Sequence, residues 1–164
     1  MNGSTDPFLD DSTPLSPGSA VAAILLTPDA RYLLQHRDRR RGIFFPDHWG
    51  FFGGAVEAND ADRPASLQRE LKEELALDVA RDTVAYFTDF TFDTSFCGAA
   101  PIYRTFYEIQ LMADQLVGLR LAEGSEFRAF TAREALGRLR LAPYDAFALW
   151  MHANRMRLSL PGAT

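Results

Sequence analysis

The chain contains little that could cross-link it or anchor it in a membrane. Cys97 is its single cysteine, so no disulfide can form within the chain. No apolar run reaches the length of a membrane-spanning helix. The N-terminus also lacks the basic start and the apolar segment of a signal peptide. We therefore expect a cytoplasmic protein that has no membrane partner.

Positive charge is scarce as well. Lys72 is the one lysine among 17 basic residues, and the formal net charge is −5 at pH 7. An acidic chain has no general attraction to the phosphate backbone of a nucleic-acid polymer. We therefore expect no nucleic-acid polymer as a partner. A phosphorylated small molecule would need a local cationic pocket or a bound metal.

Length and composition predict one domain. A chain of 164 residues that is 47% hydrophobic can bury a single compact core. Residues 1–18 are rich in Ser, Thr, Asp, Pro and Gly and poor in side chains that pack, so we expect a disordered N-terminal tail. Residues 19–164 then form the domain, and a homodimer is compatible with this sequence.

The pattern of apolar residues predicts an α/β fold with a mixed β-sheet. Strands are expected at residues 20–26, 31–37, 49–56, 83–94, 101–111 and 126–130. Helices are expected at residues 63–75, after a capping-box sequence at residues 131–134, and from Pro143 to about Arg157. This order indicates a sheet that carries helices on its faces.

The helix at residues 63–75 carries the clearest chemical signal. Glu70, Glu73 and Glu74 fall on one side of it, beside a leucine stripe that would face the core. Clustered carboxylates repel one another, more strongly in a partly dry cleft. A magnesium ion, which prefers oxygen ligands, would relieve that repulsion. Taken alone, however, three glutamates are more often a solvated acidic face.

The residues around this helix complete a motif. Gly54 lies in the glycine-interrupted strand, Arg69-Glu70 and Glu73-Glu74 follow on the helix, and Leu77 comes after them. The spacing resembles the Nudix box. That resemblance implies a Nudix-type α/β/α sandwich and magnesium-dependent hydrolysis of a phosphoanhydride bond. The substrate would be a nucleoside diphosphate linked to another group or a nucleoside triphosphate.

Two positions depart from the box. The loop between Gly54 and Arg69 is one residue longer than the family spacing, so the family's loop glutamate has no aligned partner. Asp60 or Asp62 would take over its structural role. Ala76 stands where the box has glycine. If the backbone there is left-handed, alanine costs about 1 kcal/mol relative to glycine.

The resemblance implies which groups hold the metal. Glu73 and Glu74 would bind magnesium, or manganese in its place, together with a backbone carbonyl near Gly54. Glu70 would bind the metal or activate the attacking water. These carboxylates are all present, and neither departure from the box removes one.

The resemblance also implies supporting roles for charged residues nearby. Arg69, with Glu57, would orient the helix and the loop rather than contact substrate. Family members often recruit one more carboxylate from a later loop, and Glu-Gly-Ser-Glu at residues 123–126 resembles that segment. Glu123 is the first choice as metal ligand or base, and Glu126 is the second. A hydrophilic turn explains either residue equally well.

Three residues are candidates for contact with a small nucleotide substrate. Arg37 follows a predicted strand and could meet phosphate, although most of the arginines there are expected to be solvated. Trp49 precedes the glycine pair and could stack on a base, and Tyr144 begins the last helix and could do the same. For both aromatic residues, packing in the core is the alternative explanation.

A second hypothesis has no catalysis in it. A Nudix-like fold can bind or sense a nucleotide without cutting it, because a fold alone does not define a function. A pure binding module would be free to lose the charges of the motif. The intact Arg69-Glu70 and Glu73-Glu74 pairs therefore favour the enzyme.

Overall fold

The computed structural model describes residues 15–39 and 44–158. Most of the predicted tail, residues 1–14, lies outside these ranges, and the first strand begins at Gly18. Within the two described ranges, no helix is both long and apolar enough to cross a bilayer.

The described residues form six strands and five helices. The strands are β1 (Gly18–Leu26), β2 (Tyr32–His36), β3 (Trp49–Gly50), β4 (Ala85–Phe92), β5 (Ile102–Gln110) and β6 (Glu126–Phe130). The helices are α1 (Arg63–Leu75), α2 (Ala113–Gly118), α3 (Ala132–Arg138), α4 (Pro143–Ala153) and α5 (Arg155–Leu158). Short 3-10 turns cover Arg81–Thr83 and Ser95–Cys97.

The strands form one mixed sheet in the order β3-β2-β1-β5-β4, and β6 also pairs with β2. The central pair, β1 and β5, is parallel along its whole length, from Gly18 opposite Ile102 to Leu26 opposite Gln110. The other strand pairs are antiparallel. The mixed sheet predicted from the sequence is confirmed.

Alternate residues of β1 face opposite sides of the sheet, because side chains alternate along a strand. On one side, Val21, Ala23 and Leu25 pack with the leucine stripe of α1 in a buried cluster. On the other side, Ala22, Ile24 and Leu26 pack with α4 in a second buried cluster. The sheet therefore lies between two helical layers, which confirms the α/β/α sandwich.

The segment after β3 departs from the predicted strand at residues 49–56. It crosses close to β1, where Val21 N donates to Gly54 O and Ala23 N to Phe52 O, both at 2.9 Å. Gly53 has φ +131°, and a Cβ there would lie 2.3 Å from the Val21 carbonyl oxygen. The two glycines thus allow a close crossing in place of a regular strand.

One helix ends earlier than predicted, and another helix was not predicted. The last helix ends at Ala153 rather than near Arg157, with Asn154 at its cap and the separate turn of helix α5 beyond. Helix α2 was not predicted, because its six residues, Ala113–Gly118, are too few to establish a helical period. The capping box at residues 131–134 is confirmed, since Thr131 and Glu134 exchange hydrogen bonds at the start of α3.

Candidate active site

A cavity of about 360 Å³ opens where α1 meets the sheet. Three glutamates line it: Glu70 and Glu74 from α1, and Glu123 from the loop before β6. The rest of its wall comes from the end of β2 and the residues after it, from Phe44, from the segment after β3 and from Gly124. These other lining residues are Gln35, Arg37, Asp38, Phe44, Gly53, Gly54, Ala55 and Gly124.

Local sequence fixes the position of α1. Asp62 caps its N-terminus by accepting a hydrogen bond from Ala65 N at 2.9 Å, and Pro64 lies in the first turn. Leu67 and Leu71 are fully buried against the sheet. Glu70 and Glu74 lie one helical turn apart beside this buried stripe, and both side chains line the cavity.

Glu74 is the most buried carboxylate of the cavity, with 6% of its surface exposed. Gly53 N donates to its Oε2 at 2.8 Å, and the side-chain amide of Gln35 donates to its Oε1 at 3.3 Å. Burial nevertheless raises the pKa of Glu74 to about 7, and the nearby carboxylates of Glu70 and Glu123 add to the rise. The site therefore holds a carboxylate whose negative charge is only partly compensated.

Glu70 lies against the backbone of Gly54. A Cβ at residue 54 would come within 2.5 Å of the Glu70 Oε1, so a side chain there would displace the carboxylate. Arg69 Nη1 donates to the same oxygen at 2.8 Å. Burial still raises the pKa of Glu70, with further upward contributions from Glu73 and Glu123. The glycine of the motif thus makes room for a carboxylate.

Arg69 joins the loop before α1 to the helix. Its Nε and Nη2 each donate to Asp60 at 3.1 Å, one to each carboxylate oxygen, and Nη2 also donates to Ala55 O at 3.0 Å. The hydrogen bonds from Arg69 hold the pKa of Asp60 well below its usual range. Glu57 approaches the same guanidinium only at 3.7 Å and is largely exposed. Of the two aspartates considered for the loop, Asp60 contacts Arg69 and Asp62 caps the helix.

The other carboxylates of the motif take different positions. Glu73 is exposed and accepts a hydrogen bond from Arg69 Nη1 at 3.2 Å, outside the cavity wall. Glu123 lines the cavity, whereas Glu126 pairs with Arg128 at 3.2 Å and does not line it. In the part of the chain that the structure describes, no three His, Cys, Asp or Glu side chains are arranged to hold a metal ion as they stand.

The backbone carbonyl of Gly54 faces β1. It accepts the hydrogen bond from Val21 N, which uses one of its two lone pairs. Gly54 itself lines the cavity together with Glu70 and Glu74. The predicted glycine is therefore brought to the carboxylates.

The three candidates for substrate contact separate into two groups. Arg37 lines the cavity, and its Nη1 donates to the hydroxyl of Tyr144 at 3.3 Å. Tyr144 is buried and lines a second, adjoining cavity. Trp49 lines neither of these two cavities, and its ring packs 5.0 Å from those of His36 and Phe130.

Sequence reasoning did not find two residues at this site. Gln35 orients Glu74, and its amide also donates to Phe51 O at 3.2 Å. Arg104 is buried on β5 and lines the second cavity. Gln35 is a polar residue in the apolar run of β2, which is a local signal that could have drawn attention to it. Arg104 stands among other polar residues of β5, so its sequence context gives no such signal.

Comparisons with known proteins agree with this architecture. The model of the NUDIX domain family matches residues 16–152. No curated protein sequence matches the chain.

Several solved structures are similar at low sequence identity. The MutT protein from Methanosarcina mazei Go1 is 17% identical with a TM-score of 0.71, covering 89% of this chain and 99% of that one. The dihydroneopterin triphosphate pyrophosphohydrolase of E. coli is 17% identical with a TM-score of 0.63, covering 86% and 98%. The NUDIX domain of Shewanella oneidensis NrtR, complexed with ADP ribose, is 18% identical with a TM-score of 0.67, covering 94% of each chain. At these identities the likeness establishes the fold.

Proposed function

The chain belongs to the Nudix family, and we propose that it is a hydrolase that uses magnesium to cleave a phosphoanhydride bond in a nucleotide. The substrate is a nucleoside triphosphate or a nucleoside diphosphate linked to another group. Two similar structures support this class: one is named a triphosphate pyrophosphohydrolase and another is complexed with ADP ribose. Manganese has the same preference for oxygen donors and would substitute for magnesium.

The observation that carries the proposal is the gathering of carboxylates from distant parts of the chain. Glu70, Glu74 and Glu123 line one cavity, and their mutual repulsion and burial raise the pKa values of Glu70 and Glu74. Such a cluster does not stabilise a structural core, because buried like charges destabilise the fold. The donors are hard oxygen atoms in a polar cavity, which fits a hard divalent cation.

The side chains divide the work of the site. Glu70 and Glu74 would hold the cation, and Glu123 lines the same cavity from its loop. Glu73, exposed and paired with Arg69 outside the cavity wall, would have to turn toward the cation to act as a further ligand. When bound, the cation neutralises phosphate charge and polarises the attacking water. Gly53 and Gln35 keep the Glu74 carboxylate fixed through their hydrogen bonds. Arg37 offers its guanidinium to the phosphate chain, and Glu123, exposed at the rim, can accept the proton of the water.

Glu74→Gln is the sharpest test, because it removes the charge and keeps the shape. Losing one metal ligand is expected to lower kcat by about a hundredfold or more. Excess EDTA is expected to abolish the activity of the wild type. Magnesium is also expected to raise the unfolding temperature of the wild type by mass action, and to lose this effect in the variant. The readouts are a phosphate-release screen over nucleotides and thermal unfolding with and without magnesium.

Asp114→Asn is the matched control, since it removes one exposed carboxylate on α2 that does not line the cavity. It is expected to keep both the activity and the magnesium effect. Activity that persists in EDTA, or a Glu74→Gln variant with normal kcat, would contradict the proposal. Magnesium-dependent nucleotide binding without turnover by any substrate would favour the non-catalytic binding module instead.

A further inference from the structure

Arg104 is buried without the hydrogen bonds that a buried guanidinium needs. Only 3% of its surface is exposed, and its Nε and Nη2 have no hydrogen-bond partner among the described residues. Its nearest counter-charge is Asp145 Oδ1, 3.8 Å from Nη2, and that oxygen is also without a hydrogen bond. Buried polar groups in folded proteins are nearly always paired, so these donors of Arg104 need a partner that the described residues do not provide.

Arg104 lines a second cavity, of about 330 Å³, that continues from the carboxylate cavity. The two cavities share the side chains of Arg37 and Phe44 and the backbone of residues 53–55. A molecule with phosphates at Glu70 and Glu74 can therefore extend its other end to Arg104. The site that we propose for hydrolysis thus has an adjoining compartment for the non-reacting part of its substrate.

The walls of this second cavity are mostly apolar, and aromatic groups lie against the guanidinium. Ala20, Pro101 and Ile102 line it, and the Arg104 guanidinium carbon lies 4.8 Å from the ring centroid of Tyr144. Mostly apolar walls with a few placed polar groups are typical of small-molecule sites, and aromatic rings favour flat ligands that can stack. The size of the cavity also suits a nucleobase.

We propose that Arg104 is a specificity residue that recognises a nucleobase edge carrying two neighbouring acceptor atoms. This proposal deepens the proposed function, on which it rests. Guanidinium offers only donors, in a flat fork that matches two acceptors side by side. Guanine presents such a pair at O6 and N7, and cytosine presents one at O2 and N3. Adenine and uracil do not, because a donor separates their acceptors.

Asp145 acts as a positioning residue for Arg104. Its Oδ2 accepts a hydrogen bond from Phe51 N at 3.1 Å, which anchors the carboxylate to the sheet. A Cβ at Gly50 would lie 2.5 Å from that oxygen, so the glycine leaves the space that the carboxylate occupies. The Asp145 carboxylate lies 3.8 Å from Arg104 Nη2 and so restrains the guanidinium from one side.

Nucleosides test this subsite apart from hydrolysis, because they carry no phosphate and need no metal. Binding of guanosine, cytidine, adenosine and uridine is measured by ligand-observed NMR in EDTA. Guanosine or cytidine is expected to bind about tenfold or more tightly than adenosine and uridine, as one bidentate arginine contact provides. Whichever of the two binds identifies the base. Replacing one acceptor, with 7-deazaguanosine or 3-deazacytidine, is expected to remove about the same factor.

Variants of Arg104 provide a second test of the same proposal. Arg104→Met and Arg104→Lys are each expected to reduce the preference to about twofold or less, because methionine has no donor and lysine has no fork. The deaza analogues keep the proposal falsifiable even if a variant fails to fold. Equal binding of all four nucleosides, tighter binding of adenosine or uridine, or no detectable binding would overturn it.

The two proposals fail in different ways. Hydrolysis without any base preference in kcat/KM would support the hydrolase proposal and contradict the role proposed for Arg104. Nucleoside binding with the expected preference, but without turnover of any nucleotide, would support the base-binding proposal and contradict the hydrolase proposal.

Discussion

At the C-terminal end of α1, Ala76 has a left-handed backbone, with φ 53° and ψ 30°. Its N–H donates to Lys72 O at 3.0 Å, which is the bond of an αL helix ending, and Leu77 N also donates to Leu71 O at 3.2 Å. Alanine is strained in this conformation and glycine is not. Ala76→Gly is therefore expected to raise the free energy of unfolding by about 1 kcal/mol, measured by urea denaturation.

The matched control for this change is Ala146→Gly in the interior of α4, where the backbone is helical. The same replacement there is expected to lower the free energy of unfolding by about 1 kcal/mol. Two effects of the same sign would mean that the left-handed strain at residue 76 is not what governs the response.

Glu123 and Glu126 differ in position although they belong to one short segment. Glu123 lines the cavity with Glu70 and Glu74, whereas Glu126 pairs with Arg128 outside it. Glu123→Gln is expected to lower kcat about tenfold or more with little change in KM, because a base acts on the water and not on substrate binding. Steady-state kinetics of Glu123→Gln and Glu126→Gln show which of the two glutamates acts as the base. A larger loss in Glu126→Gln would transfer the role to Glu126, and two normal variants would leave it with the helix.

Sequence spacing predicted that Glu70, Glu73 and Glu74 lie on one side of α1, but it did not separate their positions. Glu74 comes three residues after Leu71 and turns toward the core, whereas Glu73 comes four residues after Arg69 and pairs with it outward. This difference depends on where the buried stripe of the helix meets the sheet. Arg104 escaped prediction for a related reason, because its significance lies in missing partners that only a folded structure can reveal.

At the scale of elements, one guanidinium links the loop before α1 to the helix. Arg69 binds both oxygens of Asp60 and also an oxygen of Glu70. Asp60→Asn replaces one of the two acceptors with a donor, so the pairing with Arg69 is lost on one side. The loosened Glu70 is expected to lower kcat by about tenfold or more, with a smaller change in KM.

Asp62→Ala is the comparison for this prediction. It removes the N-cap of α1 and the ion pair with Arg81, without touching Arg69. It is expected to lower the unfolding midpoint and to leave kcat near that of the wild type. An equal loss of kcat in both variants would show that general loosening of the helix explains the effect of Asp60→Asn.

The elements themselves were predictable to different degrees. The leucine stripe of α1 and the apolar run of β1 are local patterns, and both elements fall where the sequence places them. The segment after β3 could not be predicted as a non-strand, because its path depends on Gly53 passing against the backbone of β1. Its glycines were recognisable as a sign of close approach, but the approaching chain was not identifiable from the sequence.

At the scale of the whole molecule, His152 ties a helical layer to the sheet. The Tyr32 hydroxyl of β2 lies 2.8 Å from its Nδ1, and a carboxylate oxygen of Glu108 of β5 lies 2.6 Å from its Nε2. Arg155 pairs with the same glutamate at 3.1 Å. Burial lowers the pKa of His152 below its ordinary value of 6.5, against the smaller upward effect of Glu108.

The sign of the pH effect follows from this lowered pKa. Below about pH 6.5 the unfolded chain binds a proton at His152 that the folded protein does not. The stability contributed by the neutral ring is therefore complete above that pH. It is lost as the pH falls through the folded-state pKa, by at most about 1.4 kcal/mol per pH unit.

His152→Gln tests this, because glutamine can make similar hydrogen bonds but does not titrate. Between about pH 5 and 6.5 the free energy of unfolding is expected to fall less steeply with decreasing pH in the variant than in the wild type. Between about pH 7 and 8 the two slopes are expected to agree. Urea denaturation across this range measures both, and equal slopes in acid would show that another group is responsible.

The parallel pairing of β1 with β5 also has a consequence for biosynthesis. Residue 18 pairs with residue 102 and residue 26 with residue 110, so the central strand has no neighbour on that side until most of the chain has been made. Helix α1 packs on β1 and is translated well before β5. During translation, α1 can therefore pack only on a sheet that still lacks β5. The cavity is complete only after β5 and the Glu123 loop have emerged from the ribosome. Nascent chains halted before residue 102 would then contain all of α1 but would lack the cavity that its glutamates line.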